Sequence, residues 1–393
     1  MTNLAAGGRP RRAALWLAAV VLWPMSLAAA EPPLAAVTLV GAPEIVFTPK
    51  RDSCSGNDVP DVPARAFRDA RGELVLFAMH TENRALRGPA FDKLKLDCSS
   101  PLPSHDEADP AAFDDASWIA ATWTTDGQRI AALVHHEYQA HSHPGRCSHK
   151  QYLACWYNTV VAVSSSDGGR RFARPTPPQV VAAAPFRQDV GQGRHRGFFN
   201  PSNIVADGQN HYFLAGTTGW EAQDSGACLF RSADPFDPAS WRGYDGQGFT
   251  ARFPDPYRTK PGRPTCKVVS PFPGPVGSVV RHRGTGAWIA VFQASAGGQF
   301  PEPGFYTTSS RDLLAWDKPR LLLAGGTLYD DACTSGGRLI SYPSLIDPAA
   351  SGRNFDDVGD AADLYFSDLK VEGCQVTSAR DLVRRRVAIK VWP

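Results

Sequence analysis

Apolar residues along this chain come in short runs of strand length, and the runs stop at clusters of Gly, Pro, Asp and Ser. "ELVLFAMH", "RIAALVHHEY", "HYFLAGTTGW", "AWIAVFQAS" and "DLYFSDL" are such runs, rich in Val, Ile, Phe and Trp or flanked by residues that are. Helical spacing is scarce, and 35 glycines with 33 prolines leave little room for long helices. The turns between runs repeat. "SSSDGGRRF" carries Ser165, Asp167, Gly169 and Phe172, "RSADPFDPASW" carries Asp234 and Trp241, and "TSSRDLLAW" carries Asp312 and Trp316. "TSARDLVRRRV" carries Asp381, and "GPAFDKLKL" supplies Asp92 as a weaker first member. These aspartates stand 75, 67, 78 and 69 residues apart, a loose unit present five times.

Each unit reads as four strands. The chain is therefore expected to be all-β: a five-bladed β-propeller with four-stranded antiparallel blades near 61–105, 115–180, 197–253, 275–324 and 338–393. One four-stranded sheet cannot cover both of its apolar faces, whereas radial stacking covers both and leaves only short edges. The competing arrangement is an ordinary β-sandwich. "AVTLVGAPEIVF", ahead of the first unit, is expected to add an outer strand and close the ring. Within the turns, Gly168 and Gly169 suit positive φ and the aspartate accepts backbone N–H groups, so the recurring aspartates read as structural.

The first 30 residues change the picture of where the chain works. Arg9, Arg11 and Arg12 precede the apolar run "AALWLAAVVLW", and Ala28 and Ala30 stand before a cut expected after Ala30. That layout predicts a signal peptide over 1–30, followed by one domain over 31–393 in a secreted or periplasmic protein. Loss of the three arginines takes the formal charge from +2 to −1. A near-neutral chain has no basic field for nucleic acid and no basic amphipathic helix for a membrane surface. It is expected to act as a monomer. All eight cysteines follow the leader and none forms Cys-x-x-Cys, which points to disulfides. Nearest-neighbour pairing predicts Cys54–Cys98, Cys147–Cys155, Cys228–Cys266 and Cys333–Cys374.

"SSDGGRRF" resembles the Asp-box of sialidases and related propellers at all four of its positions, and "SSRDLLAW" resembles the Ser-x-Asp-Leu-x-x-Trp turn of five-bladed glycoside hydrolases such as families 43 and 32. The resemblance implies a propeller and a carbohydrate ligand. It implies no catalytic residue, because the sialidase arginine motif is reduced to "ARAFRD" and the Asn-Asp-Pro-Asn and Arg-Asp-Pro motifs of invertase-like enzymes are absent. In five-bladed glycosidases the active face gathers first-strand starts and second-strand ends.

On that face the first-strand starts contribute Asp61, Asn200 and Tyr342, with Arg65 four residues into the first strand. The second-strand ends contribute His80, then His135, His136, Glu137, Tyr138, His141 and His143, then Trp220 and Glu221. Along a strand His135 and Glu137 point one way and His136 and Tyr138 the other. Glycoside hydrolysis needs one protonated carboxyl and one carboxylate. The expected roles are Glu137 as acid and Asp61 as base, with Glu221 as substitute for either. Arg65, His80, His135, Tyr138, His141, Arg196, Asn200, Trp220 and Tyr342 are the expected substrate contacts. No cofactor is required by this chemistry. A competing reading places a divalent metal on His135, His136, His141 and His143 in a metal-assisted enzyme, and a third is a non-catalytic glycan-binding propeller.

Overall fold

The computed structural model describes residues 33–260 and 262–392, and the leader expected over 1–30 lies outside them. The described chain is nearly all β. Its only α-helix is one turn, Pro49–Asp52, among the described residues. None of the described helices is long and apolar enough to cross a membrane.

Two strands, β1 (Ala35–Leu39) and β2 (Glu44–Phe47), precede the first repeat. The first group is β3 (Pro60–Arg68), β4 (Leu74–Met79), β5 (Ala85–Gly88) and β6 (Lys95–Leu96), paired antiparallel in chain order. The second is β7 (Ala116–Trp123), β8 (Ile130–Gln139), β9 (Trp156–Ser165) and β10 (Gln179–Ala183), again in order. In the third, β11 (Arg196–Phe199) and β12 (Val205–Asp207) share the first position beside β13 (Asn210–Thr217), followed by β14 (Gly226–Ser232), β15 (Arg242–Tyr244) and β16 (Phe249–Ala251). The fourth is β17 (Val276–His282), β18 (Trp288–Ala294), β19 (Gly304–Ser310) and β20 (Arg320–Ala324). The fifth holds β21 (Arg338–Ile346), β23 (Ala361–Glu372) and β24 (Gln375–Val391), while the two-residue β22 (Asp357–Val358) crosses to pair with β17.

The fifth group departs from the expected repeat. Asp381 was expected in a turn between third and fourth strands, but β24 runs unbroken through it and Asp381 pairs with Asp368. The fourth position is taken by β1, which pairs antiparallel with β24 from Ala35 opposite Val391 to Leu39 opposite Val387. The expected outer strand from the N-terminal side is therefore present, and it replaces a strand the fifth repeat lacks.

Apolar layers lie between successive groups. Phe67 and Val75 pack with Ile119 and Val134; Leu133 and Val160 with Phe198 and Phe213; Leu214 and Leu229 with Val279 and Phe292. Ile289 and Phe305 pack with Leu364 and Val383, and Leu74 and Leu76 pack with Ile346 and Leu382, which returns to the first group. Each fully buried Leu or Phe contributes about 1.5–3 kcal/mol, so these layers carry most of the folding free energy. The turns behave as their residues require. Asp167 accepts from the N–H groups of Arg170 and Arg171 at 3.0 Å each, and Asp312 from Leu314 and Ala315 at 2.9 and 2.8 Å. All four expected cysteine pairs are disulfide-bonded.

Arg65 joins the five first strands. Its Nε donates to the carbonyl of Ala120, Nη1 to the Ala64 carbonyl and Ser344 Oγ, and Nη2 to the carbonyls of Pro201 and Gly277. The strand ladders skip residues at Ala64, Ala120 and Gly277, which turns these carbonyls inward. A guanidinium has five N–H donors in a fixed fork, and here it meets five acceptors, one from each group. Burial without a carboxylate partner pushes its pKa down to about 9. Arg65 was expected to touch substrate; it is consumed by the framework instead.

Candidate functional site

Two carboxyl groups share one side of this hub. Asp61 enters from the start of β3. Its Oδ1 accepts from Arg380 Nη1 on β24, and from the Tyr342 hydroxyl at 3.4 Å, while its Oδ2 lies 3.4 Å from His80 Nε2. Burial raises the Asp61 pKa; Arg380 and His80 pull it back and the charge of Glu137 pushes it up again, leaving it above the ordinary carboxylate value. The charge of Glu137 acting on Asp61 places the two groups within electrostatic reach of one another.

Glu137 is on β8, in the register that puts His135, Glu137 and Gln139 on the face shared with Trp156 and Asn158 of β9. His135 Nε2 is 2.9 Å from Glu137 Oε1, and Gln139 Nε2 donates to Oε2 at 2.7 Å. The Asn200 N–H donates to His135 Nδ1 at 3.2 Å, so this hydrogen-bond pattern assigns the ring proton to Nε2, facing Glu137. Burial pushes the Glu137 pKa up, but the His135 and Gln139 hydrogen bonds and the neighbouring imidazoles outweigh it, and the pKa falls below the usual value. The two shifts run opposite to the roles expected from sequence: Asp61 is the group disposed to keep a proton and Glu137 the one disposed to lose it.

Backbone strain collects here. Asn200 and Tyr342 sit at φ 45° and 61°, and each precedes a proline, where non-glycine residues rarely adopt a left-handed backbone. Both use the conformation: Asn200 aims its N–H at His135, and Tyr342 aims its N–H at Gln293 Oε1, 3.0 Å away. Gly197 allows the close approach of β11 to β9, since a Cβ there would lie 1.9 Å from the Asn158 carbonyl oxygen. That approach brings His195 against the side-chain oxygen of Asn158, whose amide nitrogen lies 3.3 Å from His135 Nε2. Burial pushes the His195 pKa down to about 4. Trp118 stands between His80 and His135, with ring centroids 5.3 and 5.6 Å away, and so connects the Asp61 and Glu137 sides.

The other expected residues are elsewhere. Glu221 pairs with Arg263 at 2.9 Å and shares no partner with Asp61 or Glu137. Trp220 is buried against Phe186 and Phe198, and Arg196 lies over the Phe186 ring with its Nε donating to the Gly191 carbonyl. Tyr138 is buried, stacks on His143 and donates to the Ala108 carbonyl.

The four histidines of the metal reading do not converge. His135 faces Glu137, His136 packs edge-on to Phe113 on the opposite face, His143 pairs with Asp115 at 3.1 Å, and His141 lies 3.2 Å from Cys147 Sγ. Among the described residues, the one cluster with ligand-like spacing is His141, Cys147 and Cys155, and its two sulfurs are joined in a disulfide. A groove lined by Ile45, Phe91, Lys95 and Arg384 shares no residue with the Asp61–Glu137 unit.

Sequence reasoning missed Arg380, which looked like part of a fifth turn, and Asn158, Gln139 and Gln293, which stand mid-strand with no local motif. The pairing register is the signal that could have found Gln139 and Asn158, since both share the face of Glu137.

No protein-family model matches the chain, and no curated protein matches it. Solved structures of glycoside hydrolases resemble it. A GH43_1 enzyme from Xanthomonas citri complexed with xylotriose has a TM-score of 0.46 at 12% identity, covering 90% of each chain. An α-L-arabinofuranosidase from Podospora anserina in complex with cellotriose has a TM-score of 0.45 at 9% identity, covering 88% of this chain and 95% of its own. An endo-1,5-α-L-arabinanase from Thermotoga petrophila has a TM-score of 0.46 at 10% identity, covering 83% and 71%. At TM-scores below 0.5 these likenesses assign neither substrate nor residue roles to this chain.

Proposed function

We propose that the cycle of five strand groups is a five-bladed β-propeller, that the chain is exported, and that it is a glycoside hydrolase acting on an extracellular polysaccharide or glycoconjugate. The observation that carries the reading is the pair Asp61 and Glu137: two carboxyl groups, the charge of Glu137 acting on Asp61, with pKa values displaced in opposite directions. Four disulfides suit an oxidising compartment.

In this reading Asp61 holds a proton on a carboxyl oxygen and delivers it to the glycosidic oxygen as the C–O bond breaks. Glu137 stays ionised, held by His135 and Gln139, and takes a proton from the attacking water or itself attacks the anomeric carbon. The distance between the carboxyl groups around a bound sugar decides between these two courses.

A second reading, glycan binding without hydrolysis, is favoured by one feature. Both carboxyl groups already have protein partners, Asp61 the Arg380 guanidinium and Glu137 the His135 and Gln139 donors, so they can serve as fixed acceptors for sugar hydroxyls.

A screen of plant, animal and bacterial glycans against wild type, Asp61→Asn and Glu137→Gln tests both. Hydrolysis by wild type that falls at least about 100-fold in each variant supports the hydrolase. Binding without product in any sample supports the second reading. Hydrolysis that survives in both variants overturns the assignment of the pair.

A further inference from the structure

Aromatic rings that do not pack in the core lie in a row beginning at Glu137. Trp156 is cross-strand from Gln139, whose side chain holds Glu137. From Trp156 the row runs outward to Tyr152, at 4.9 Å between centroids, and inward to His195 at 6.2 Å and then Phe199 at 5.5 Å. Trp156, His195 and Phe199 are half-buried, while Tyr152 is 62% exposed. The row is mounted on two loops that brace one another. Cys147–Cys155 closes the first loop, the Gly193 N–H donates to the Ala154 carbonyl, and Gln188 and Gln192 both donate to the Arg146 carbonyl. Exposed Leu153 and Val190 cap the same two loops.

Such a row is costly unless something covers it, since each ring leaves apolar surface in water. A sugar ring has an apolar C–H face and a rim of hydroxyls. Trp156 meets Tyr152 at 64° and His195 at 88°, so successive rings turn their faces and can each take a separate sugar unit beside the Gln139–Glu137 hydrogen bond. The inward direction is closed: Arg65 occupies the hub with all five donors engaged. A chain-like ligand cannot thread past it and must leave along the surface.

We propose that Tyr152, Trp156 and His195 form a stacking platform for the sugar units that follow the one held at Asp61 and Glu137, so that the ligand is an oligosaccharide lying across the mouth rather than a single sugar. This rests on the carbohydrate reading of the site and does not depend on hydrolysis. The platform replaces Tyr138 and Trp220, the rings expected from sequence, which the fold buries.

The test measures calorimetric affinity and, separately, chromatographic product for xylo-, arabino- and galacto-oligosaccharide ladders of increasing length. Wild type is compared with Tyr152→Ala, Tyr152→Phe and, as an exposed apolar control, Leu153→Ala. Affinity in wild type should rise by roughly three- to tenfold with added units. Tyr152→Phe and Leu153→Ala should keep that rise and Tyr152→Ala should flatten it. Affinity independent of length in wild type, an undiminished rise in Tyr152→Ala, or no binding of any ladder overturns the platform. Length-dependent binding with no product leaves the platform standing and removes the hydrolase; product with no length dependence does the reverse.

Discussion

The backbone N–H of Asn200 donates to Nδ1 of His135, and His135 Nε2 in turn faces Glu137. A left-handed residue on β11's trailing edge thus decides which nitrogen of an imidazole on β8 carries the proton. The consequence is electrostatic: the donated N–H is a main reason the Glu137 carboxyl sits low.

Replacing that donor tests the relationship. In His135→Ala the Glu137 pKa should rise, because the carboxylate loses a hydrogen-bond donor, and carbon-13 NMR titration of the carboxyl reads the change. The sign for stability follows. A carboxyl lowered in the folded state contributes stability above its unfolded pKa and loses it as pH falls through the folded value. His135→Ala should therefore narrow the gap between unfolding midpoints at neutral and at strongly acidic pH.

Asp61 and Arg380 give the opposite sign. Asp61 is raised, so its protonated form is the favoured one in the fold, and ionisation of the buried group disfavours the fold as pH rises through the folded value. Arg380 offsets that cost. Arg380→Ala should lower stability by about 3 kcal/mol at a pH where Asp61 is ionised and by less as acid protonates Asp61. Denaturant unfolding on the two sides of the Asp61 titration checks this, and an equal loss on both would refute it.

Arg65 is a framework residue on the evidence of its five acceptors. Arg65→Met should destabilise by about 3–5 kcal/mol, because buried carbonyls from several groups lose their donor. Arg65→Lys should be intermediate, with three donors and no fork. Thermal unfolding of both variants beside wild type gives the order.

The marker aspartates differ in kind. Asp312 accepts two backbone N–H groups in its turn, so Asp312→Ala should cost about 1–2 kcal/mol. Asp381 lies within β24 opposite Asp368, and Asp381→Ala should be neutral or slightly stabilising because it removes a like charge across the ladder. Equal losses from the two substitutions would show that the repeat is functional in the fifth unit as well.

Much of the molecule was legible because its causes are local. Short apolar runs mark β4, β8, β13 and β18, which are buried on both faces over most of their length, and the turn at Asp167 needs an acceptor and two glycines at φ 71° and 74° within four residues. Nearest-neighbour cysteines could be paired because each bridge closes a loop within or beside one group. Asp61, His80, Glu137, Asn200 and Tyr342 could be gathered because the repeat says which strand ends share a face.

Residue identity along the chain thus determined the strands, their turns, the disulfides and the end of the fold where polar groups collect. Tertiary structure alone decided their employment. Arg65 and Arg380 are both arginines on strands, yet one is spent on carbonyls at the hub and the other on Asp61. Glu137 lies near the end of β8 and Glu221 four residues beyond β13, yet one is held by His135 and the other is drawn off by Arg263. Charge pairing and desolvation depend on distances across the closed cycle of sheets, between residues up to several hundred positions apart, and no local pattern encodes those distances.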